Sequence, residues 1–140
     1  MSGPGSADPV RPVKVLVVDD DPRVRAGLAG VLTATPGLAV ASATGSARRA
    51  LAAAGRGLAD VALVDVLLPR AADGVELVRQ LAAHVPVVAI SLDGTNRIQV
   101  LAAGAVAYVE KDGAVEDLLA AVLAAAELVH PSPGWTRPAR

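Results

Sequence analysis

Four short apolar runs in this 140-residue chain each stop at a residue that can do chemistry. Val15-Leu16-Val17-Val18 meets Asp19-Asp20-Asp21, and Val61-Ala62-Leu63-Val64 meets Asp65. Val87-Val88-Ala89-Ile90 meets Ser91, and Val106-Ala107-Tyr108-Val109 meets Glu110-Lys111. A short, continuous apolar run reads as a strand buried on both faces, which is how strands of a helix-covered parallel sheet are written. Open α/β folds bind their ligands at the carboxyl edge of such strands. The pattern therefore predicts carboxylates, a hydroxyl and an ammonium gathered on one edge, a set suited to metal and phosphate.

The segments between these runs read as helices. Asp21 can cap free amides and Pro22 suits a first helical turn, so a helix opens there and carries Val24, Leu28, Val31 and Leu32 at helical spacing before Pro36-Gly37. Residues 38–43 read as a second strand, and 46–54 as an Ala/Arg-rich helix ended by Gly55 and Gly57. A loop over 66–73 precedes a third helix over 74–83, with Val75, Val78 and Leu81 turned inward. Strand four covers 85–91, Thr95 caps a helix over 96–103, and strand five covers 105–110. The last helix spans 115–129 with Val115, Leu119, Val122 and Ala126 facing the sheet. Such strand–helix repeats predict a single doubly wound, five-stranded α/β sheet with helices on both faces, because crossovers between parallel strands are right-handed. The organisation expected is a lead-in over 1–12, one domain over 13–129, and a Pro-rich tail over 130–140.

Composition narrows the chemistry. Hydrophobic residues make up 53%, yet Tyr108 and Trp135 are the aromatic residues, so the core must be built from Ala, Val and Leu. A net charge of −1 offers no basic face for binding nucleic acid through its phosphates. With no cysteine, disulfides, thiolate catalysis and Cys-ligated zinc are excluded. No apolar run reaches the ~18 residues of a membrane span, and residues 1–12 lack a signal peptide's apolar stretch, so the default reading is a soluble cytoplasmic protein.

Asp19-Asp20-Asp21 has two readings: an acidic turn that caps the next helix, or a ligand set. Asp21 serves as the cap. The remaining pair, Asp19 and Asp20, would repel unless a cation sits between them. Asp65 ends another strand; a cation bridging Asp20 and Asp65 would relieve that repulsion, and hard oxygen donors suit Mg²⁺, with Mn²⁺ as substitute. Asp65 could then attack a phosphoryl group to form an aspartyl phosphate, its charge shielded as the donor approaches. Of thirteen Lys and Arg residues only Lys14 and Lys111 are lysine, so Lys111 at the end of strand five reads either as a required compact charge or as a solvated surface residue. Ser91 either donates its hydroxyl to the phosphoryl oxygens or completes a turn.

These pieces together resemble the receiver domain of bacterial two-component response regulators. VLVVDDDPRVRAGL, DVALVDVLLP followed by DGVELVRQL, PVVAIS, and GAVAYVEKD stand in the family's order and spacing over 13–129. The resemblance implies a flavodoxin-like strand order 2-1-3-4-5. It also implies that Asp65 is the phosphoacceptor, Asp20 a direct Mg²⁺ ligand, Asp19 a ligand through water, and the Leu67 backbone carbonyl a further ligand. Ser91 stands at the switch hydroxyl, Lys111 at the phosphate-pairing lysine and Tyr108 at the switch aromatic. Implied partners are a sensor histidine kinase, an output protein, and a second copy of the chain on phosphorylation, with no direct contact to nucleic acid or membrane.

Departures from the family pattern are Arg70-Ala71-Ala72 between Pro69 and Asp73-Gly74, one residue longer than usual, and Leu92 after Ser91, whose bulk would narrow donor access. Lys111-Asp112 is closest to regulators with a helix-turn-helix output. The expectation is accordingly a stand-alone receiver or a part of a longer regulator. Two alternatives remain at this level. One is a receiver-like interaction module that works without phosphate. The other is an Asp-nucleophile phosphatase of the haloacid dehalogenase type, whose Asp-x-Asp pattern lies within Asp19-Asp20-Asp21, although the chain lacks length for the cap such turnover needs.

Overall fold

A computed structural model describes residues 11–66, 71–92, 94 and 96–129. Its elements run β1 (Val13–Val18), α1 (Pro22–Ala34), β2 (Leu38–Thr44), α2 (Ala47–Gly55), β3 (Val61–Asp65), α3 (Ala71–Ala82), β4 (Val87–Ser91), α4 (Arg97–Ala103), β5 (Ala107–Glu110) and α5 (Val115–Ala126). The strands form one parallel sheet of five in the order β2-β1-β3-β4-β5, as the strand–helix repeat and the resemblance imply.

Alternation along each strand sorts side chains into two core layers. Leu16, Val18, Ala62, Val64 and Ala89 face α2, α3 and α4, where Ala50, Val78, Leu81 and Val100 cover them. Val15, Val17, Val61, Leu63, Val88 and Ile90 face α1 and α5, where Leu32, Leu118, Val122 and Ala125 cover them. Val15 to Val18 and Val61 to Val64 are fully buried because β1 and β3 lie in the middle of the sheet. Each Val or Leu so buried contributes roughly 1.5–3 kcal/mol, which is how a core without phenylalanine holds.

The helix ends follow local chemistry. The Asp21 side chain accepts the Arg23 amide at 2.9 Å with Pro22 in the first turn, as expected. Ser46, expected inside α2, is instead its cap, accepting the Arg49 amide at 3.2 Å. Gly104 closes α4 in the left-handed region at φ 118°.

The structure corrects three other local expectations. α3 begins at Ala71 rather than at Gly74. Gly74 is required by packing: a side chain there would overlap the Val66 backbone, so its hydrogen lets α3 lie on the end of β3. In α1 only Leu32 is fully enclosed, while Val24, Leu28 and Val31 are half-buried along a groove of about 400 Å³ facing α5. The buried stripe of α5 is Leu118, Val122, Ala125 and Ala126, whereas Val115 is 46% exposed and Leu119 half-buried. Val115 stands at the start of α5 and lines the rim of the α1–α5 groove instead of meeting the sheet. The expected Thr95 cap, the Leu67 carbonyl, the loop through Pro69 and Arg70, and Trp135 lie outside the described residues.

Candidate functional site

Register brings the strand ends together. Val18 pairs with Val64, so Asp19 follows beside Asp65, and Ser91 at the end of β4 pairs with Glu110, next to Lys111. The Lys111 amide donates to the Ser91 carbonyl at 2.6 Å, extending the β4–β5 ladder to the site. Asp19 and Ser91 are fully buried and Asp65 is 4% exposed, while Asp20 is open to solvent. Four of the sequence-predicted residues, Asp19, Asp20, Asp65 and Lys111, therefore meet on one edge, with Ser91 tied in through the backbone.

Lys111 joins two acids. Its Nζ donates to Asp65 Oδ2 at 2.9 Å and lies 3.3 Å from Asp19 Oδ2, close enough for an ion pair though not aligned as a hydrogen bond. Asp19 Oδ1 accepts the Asp21 amide at 2.9 Å. Burial raises the Asp19 pKa, and the neighbouring Asp65 charge adds to it, against the lowering effects of the Asp21 amide and Lys111. At Lys111 burial alone would lower the pKa, but the hydrogen bond and charge of Asp65, with the charge of Asp19, outweigh it and the net shift is upward.

Carboxylate oxygens of Asp19, Asp20 and Asp65 lie within 4.8 Å of one another. Lys111 is the one ammonium paired with this group among the described residues, so negative charge is in excess. That excess, together with a buried carboxylate whose pKa is raised, fits a hard divalent cation such as Mg²⁺.

The backbone of the acid-bearing turn is tied at both ends. The Asp19 amide donates to the Thr44 carbonyl at 3.1 Å, and Arg25 Nη1 donates to the Asp19 carbonyl at 2.6 Å. Arg25 was not among the residues singled out from the sequence. A signal for it exists: side chains on a helix lean toward its N-terminus, so an Arg one turn beyond the Asp21 cap reaches back over the preceding turn.

Three buried polar atoms near β4 and β5 have no hydrogen-bond partner among the described residues: Ser91 Oγ, Asn96 Nδ2 and Tyr108 Oη. Tyr108 packs on the α2–α3–α4 side of the sheet, its hydroxyl enclosed beside Gly94. Asn96, at the start of α4, is a second residue that sequence reasoning passed over. Leu92 is exposed.

Comparison with known proteins adds independent information. The family model described as the response regulator receiver domain matches residues 15–123. The DNA-binding transcriptional activator DevR/DosR of Mycobacterium tuberculosis is 37% identical over 105 residues, covering 71% of this chain and 48% of that protein. The response regulator MprA of Mycobacterium sp. strain KMS is 35% identical over 133 residues, covering 91% of this chain and 56% of the relative. This chain thus spans about half the length of those two relatives. Among solved structures, the receiver domain of NarL from Mycobacterium tuberculosis superposes with a TM-score of 0.72 at 30% identity, covering 84% of this chain and 98% of that one. The response regulator domain of Thermotoga maritima CheB, with a TM-score of 0.74 at 23% identity and coverage of 84% and 98%, supports the fold alone.

Proposed function

The chain belongs to the response regulator receiver family, and from that premise we propose that Asp65 accepts a phosphoryl group from the phosphohistidine of a sensor kinase. The observation that carries this reading is the 2.9 Å contact between Lys111 Nζ and Asp65 Oδ2 in a nearly enclosed site at the carboxyl edge of the sheet.

In the proposed transfer an Asp65 carboxylate oxygen attacks phosphorus, forming a P–O bond as the P–N bond to the donor imidazole breaks and the imidazole nitrogen keeps the electron pair. Lys111, already beside Asp65, pairs with the incoming phosphoryl oxygens and offsets their charge. Ser91 Oγ, buried and unpartnered among the described residues, is free to donate to the same oxygens. Asp20 and Asp65 would hold Mg²⁺ directly and Asp19 through water. That ion would supply charge shielding between the acceptor carboxylate and the phosphoryl group.

Output is proposed to leave through α4, β5 and α5. Ile98 is 80% exposed, and Leu101, Val106, Leu123 and Leu128 are exposed large apolar side chains on or beside these elements. Withdrawal of the Ser91 hydroxyl toward a phosphoryl group would change the surroundings of the enclosed Tyr108 hydroxyl, a local electrostatic event biasing a two-state surface. Partners of such a surface are an output domain or a second phosphorylated copy.

Incubation with acetyl phosphate and Mg²⁺, followed by intact mass, tests the reading. The wild type is expected to gain one phosphoryl group, and the nearly isosteric Asp65→Asn variant none. Undiminished labelling of Asp65→Asn would move the site to Asp20 or Asp19. A folded wild type that takes no label would favour the phosphate-independent module.

A further inference from the structure

Of the three clustered acids, two are held by their own side chains. Asp19 is pinned by the Asp21 amide and by Lys111, and Asp65 is pinned by Lys111. Asp20 has no such hold: among the described residues its carboxylate enters no hydrogen bond or ion pair, and it is exposed. Its position therefore depends on the backbone that carries it, and the peptide joining Asp19 to Asp20 sets that direction.

The oxygen of that peptide is the Asp19 carbonyl, which accepts from Arg25 Nη1 at 2.6 Å. A charged donor at that length is a strong hydrogen bond, and Arg25 is half-buried, so water competes with it less. The same guanidinium lies across the β2–α2 turn. A methyl group at Gly45 would stand 2.9 Å from Arg25 Nη1, and 3.3 Å from both the Asp19 carbonyl oxygen and the Asp20 Cα. Gly45 thus leaves the space through which Arg25 reaches its acceptor. Its missing side chain and the Arg25 contact belong to one arrangement.

We infer that Arg25 is a positioning residue for the metal site: by clamping the Asp19 carbonyl across Gly45 it aims the Asp20 carboxylate at the cation shared with Asp65. The inference rests on the phosphoacceptor reading. It assigns Arg25 no contact with the phosphoryl group. Residues that orient metal ligands typically change metal affinity by about 10- to 100-fold when lost.

The test is Mn²⁺ binding, followed by the electron paramagnetic resonance signal of the free ion, on wild type, Arg25→Ala, Arg25→Lys and Gly45→Ala. Circular dichroism and metal-free melting curves on the same samples report whether each variant is folded. Arg25→Ala is expected to weaken Mn²⁺ binding by at least about tenfold, the lower end for a lost orienting contact. Gly45→Ala, which retains the arginine but displaces it, is expected to follow in the same direction. Arg25→Lys keeps a donor without the planar fork and is expected to fall between. Labelling by acetyl phosphate at saturating metal should match wild type, with the loss confined to the metal dependence.

A purely structural role would lower the melting temperature and leave the Mn²⁺ affinity of the folded protein unchanged. Unchanged affinity in folded Gly45→Ala and Arg25→Lys, with wild type binding normally, overturns the inference while the phosphoacceptor reading stands. Wild type that neither binds Mn²⁺ nor takes label overturns both.

Discussion

Asp19 is fully buried beside a second carboxylate, and its proton is held more tightly than in an unfolded chain, first because of burial and then because of Asp65. A carboxyl group whose folded pKa is raised favours the native state when protonated. Its contribution is complete below the unfolded value near pH 4 and is lost as pH rises through the folded value. At neutral pH in the absence of metal the Asp19 charge therefore costs stability. Asp19→Asn, which keeps an oxygen for the Asp21 amide and leaves Lys111 paired with Asp65, should raise the stability of EDTA-treated protein at pH 7. Urea titrations across pH 4 to 8 should show wild type losing ground to the variant as pH rises, and parallel curves would refute the argument. Lys111 has the same sign of pH dependence in a different range, so its contribution is still present at neutral pH. Its raised pKa gives stability that is present below the unfolded value and lost only in the alkaline range.

At the scale of elements, the informative case is α5. Leucine, valine and alanine surround this helix so evenly that helical spacing permits more than one inward face, and the face beginning at Val115 was a natural choice. The structure buries Leu118, Val122, Ala125 and Ala126 because α5 lies on β3, β4 and β5 from its second turn onward, leaving its first residue over the α1–α5 groove. Leu118→Ala should consequently cost about 2–4 kcal/mol, as deletion of a buried leucine side chain does. Val115→Ala should stay within about 0.5 kcal/mol of wild type, as surface substitutions do. Equal costs measured by chemical denaturation would mean that the helix sits in the other register. α3 shows a different limit. Its start at Ala71 follows from the helix preference of Ala71 and Ala72 and from Asp73 in the first turn, while the Asp73-Gly74 pair reads as a boundary until the Val66 backbone beneath Gly74 is seen.

For the molecule as a whole, the site joins parts of the chain that only the sheet brings near. Lys111 and Asp65 are 46 residues apart in sequence, and their contact needs β3, β4 and β5 in register. A cation bound at this edge would stabilise the native state by mass action, by about 1.4 kcal/mol at ten times its dissociation constant. The melting temperature of wild type should therefore rise with Mg²⁺ concentration and that of Asp20→Asn should rise much less, measured calorimetrically at fixed ionic strength. A wild-type melting curve indifferent to Mg²⁺ would remove the metal from the proposal. Among the described residues no helix is long and apolar enough to cross a membrane.

The sequence alone determined the strands, the sheet class and the chemical character of one edge. Each rests on short-range information: an apolar run long enough for a strand, a polar residue that stops it, and a cap or Pro that opens the next helix. Asp19, Asp20, Asp65, Ser91 and Lys111 were legible for the same reason, since each stands at the end of such a run. Tertiary structure decided what those runs leave open. It set the face of α5, which many apolar residues could supply equally well, and the need for Gly74, which depends on a backbone eight residues earlier in the chain. It also decided that one ammonium serves both Asp65 and Asp19, and that Arg25 reaches a carbonyl through the space left by Gly45. These are distances between segments remote in sequence, and they are fixed by strand register and helix packing rather than by the residues' own preferences.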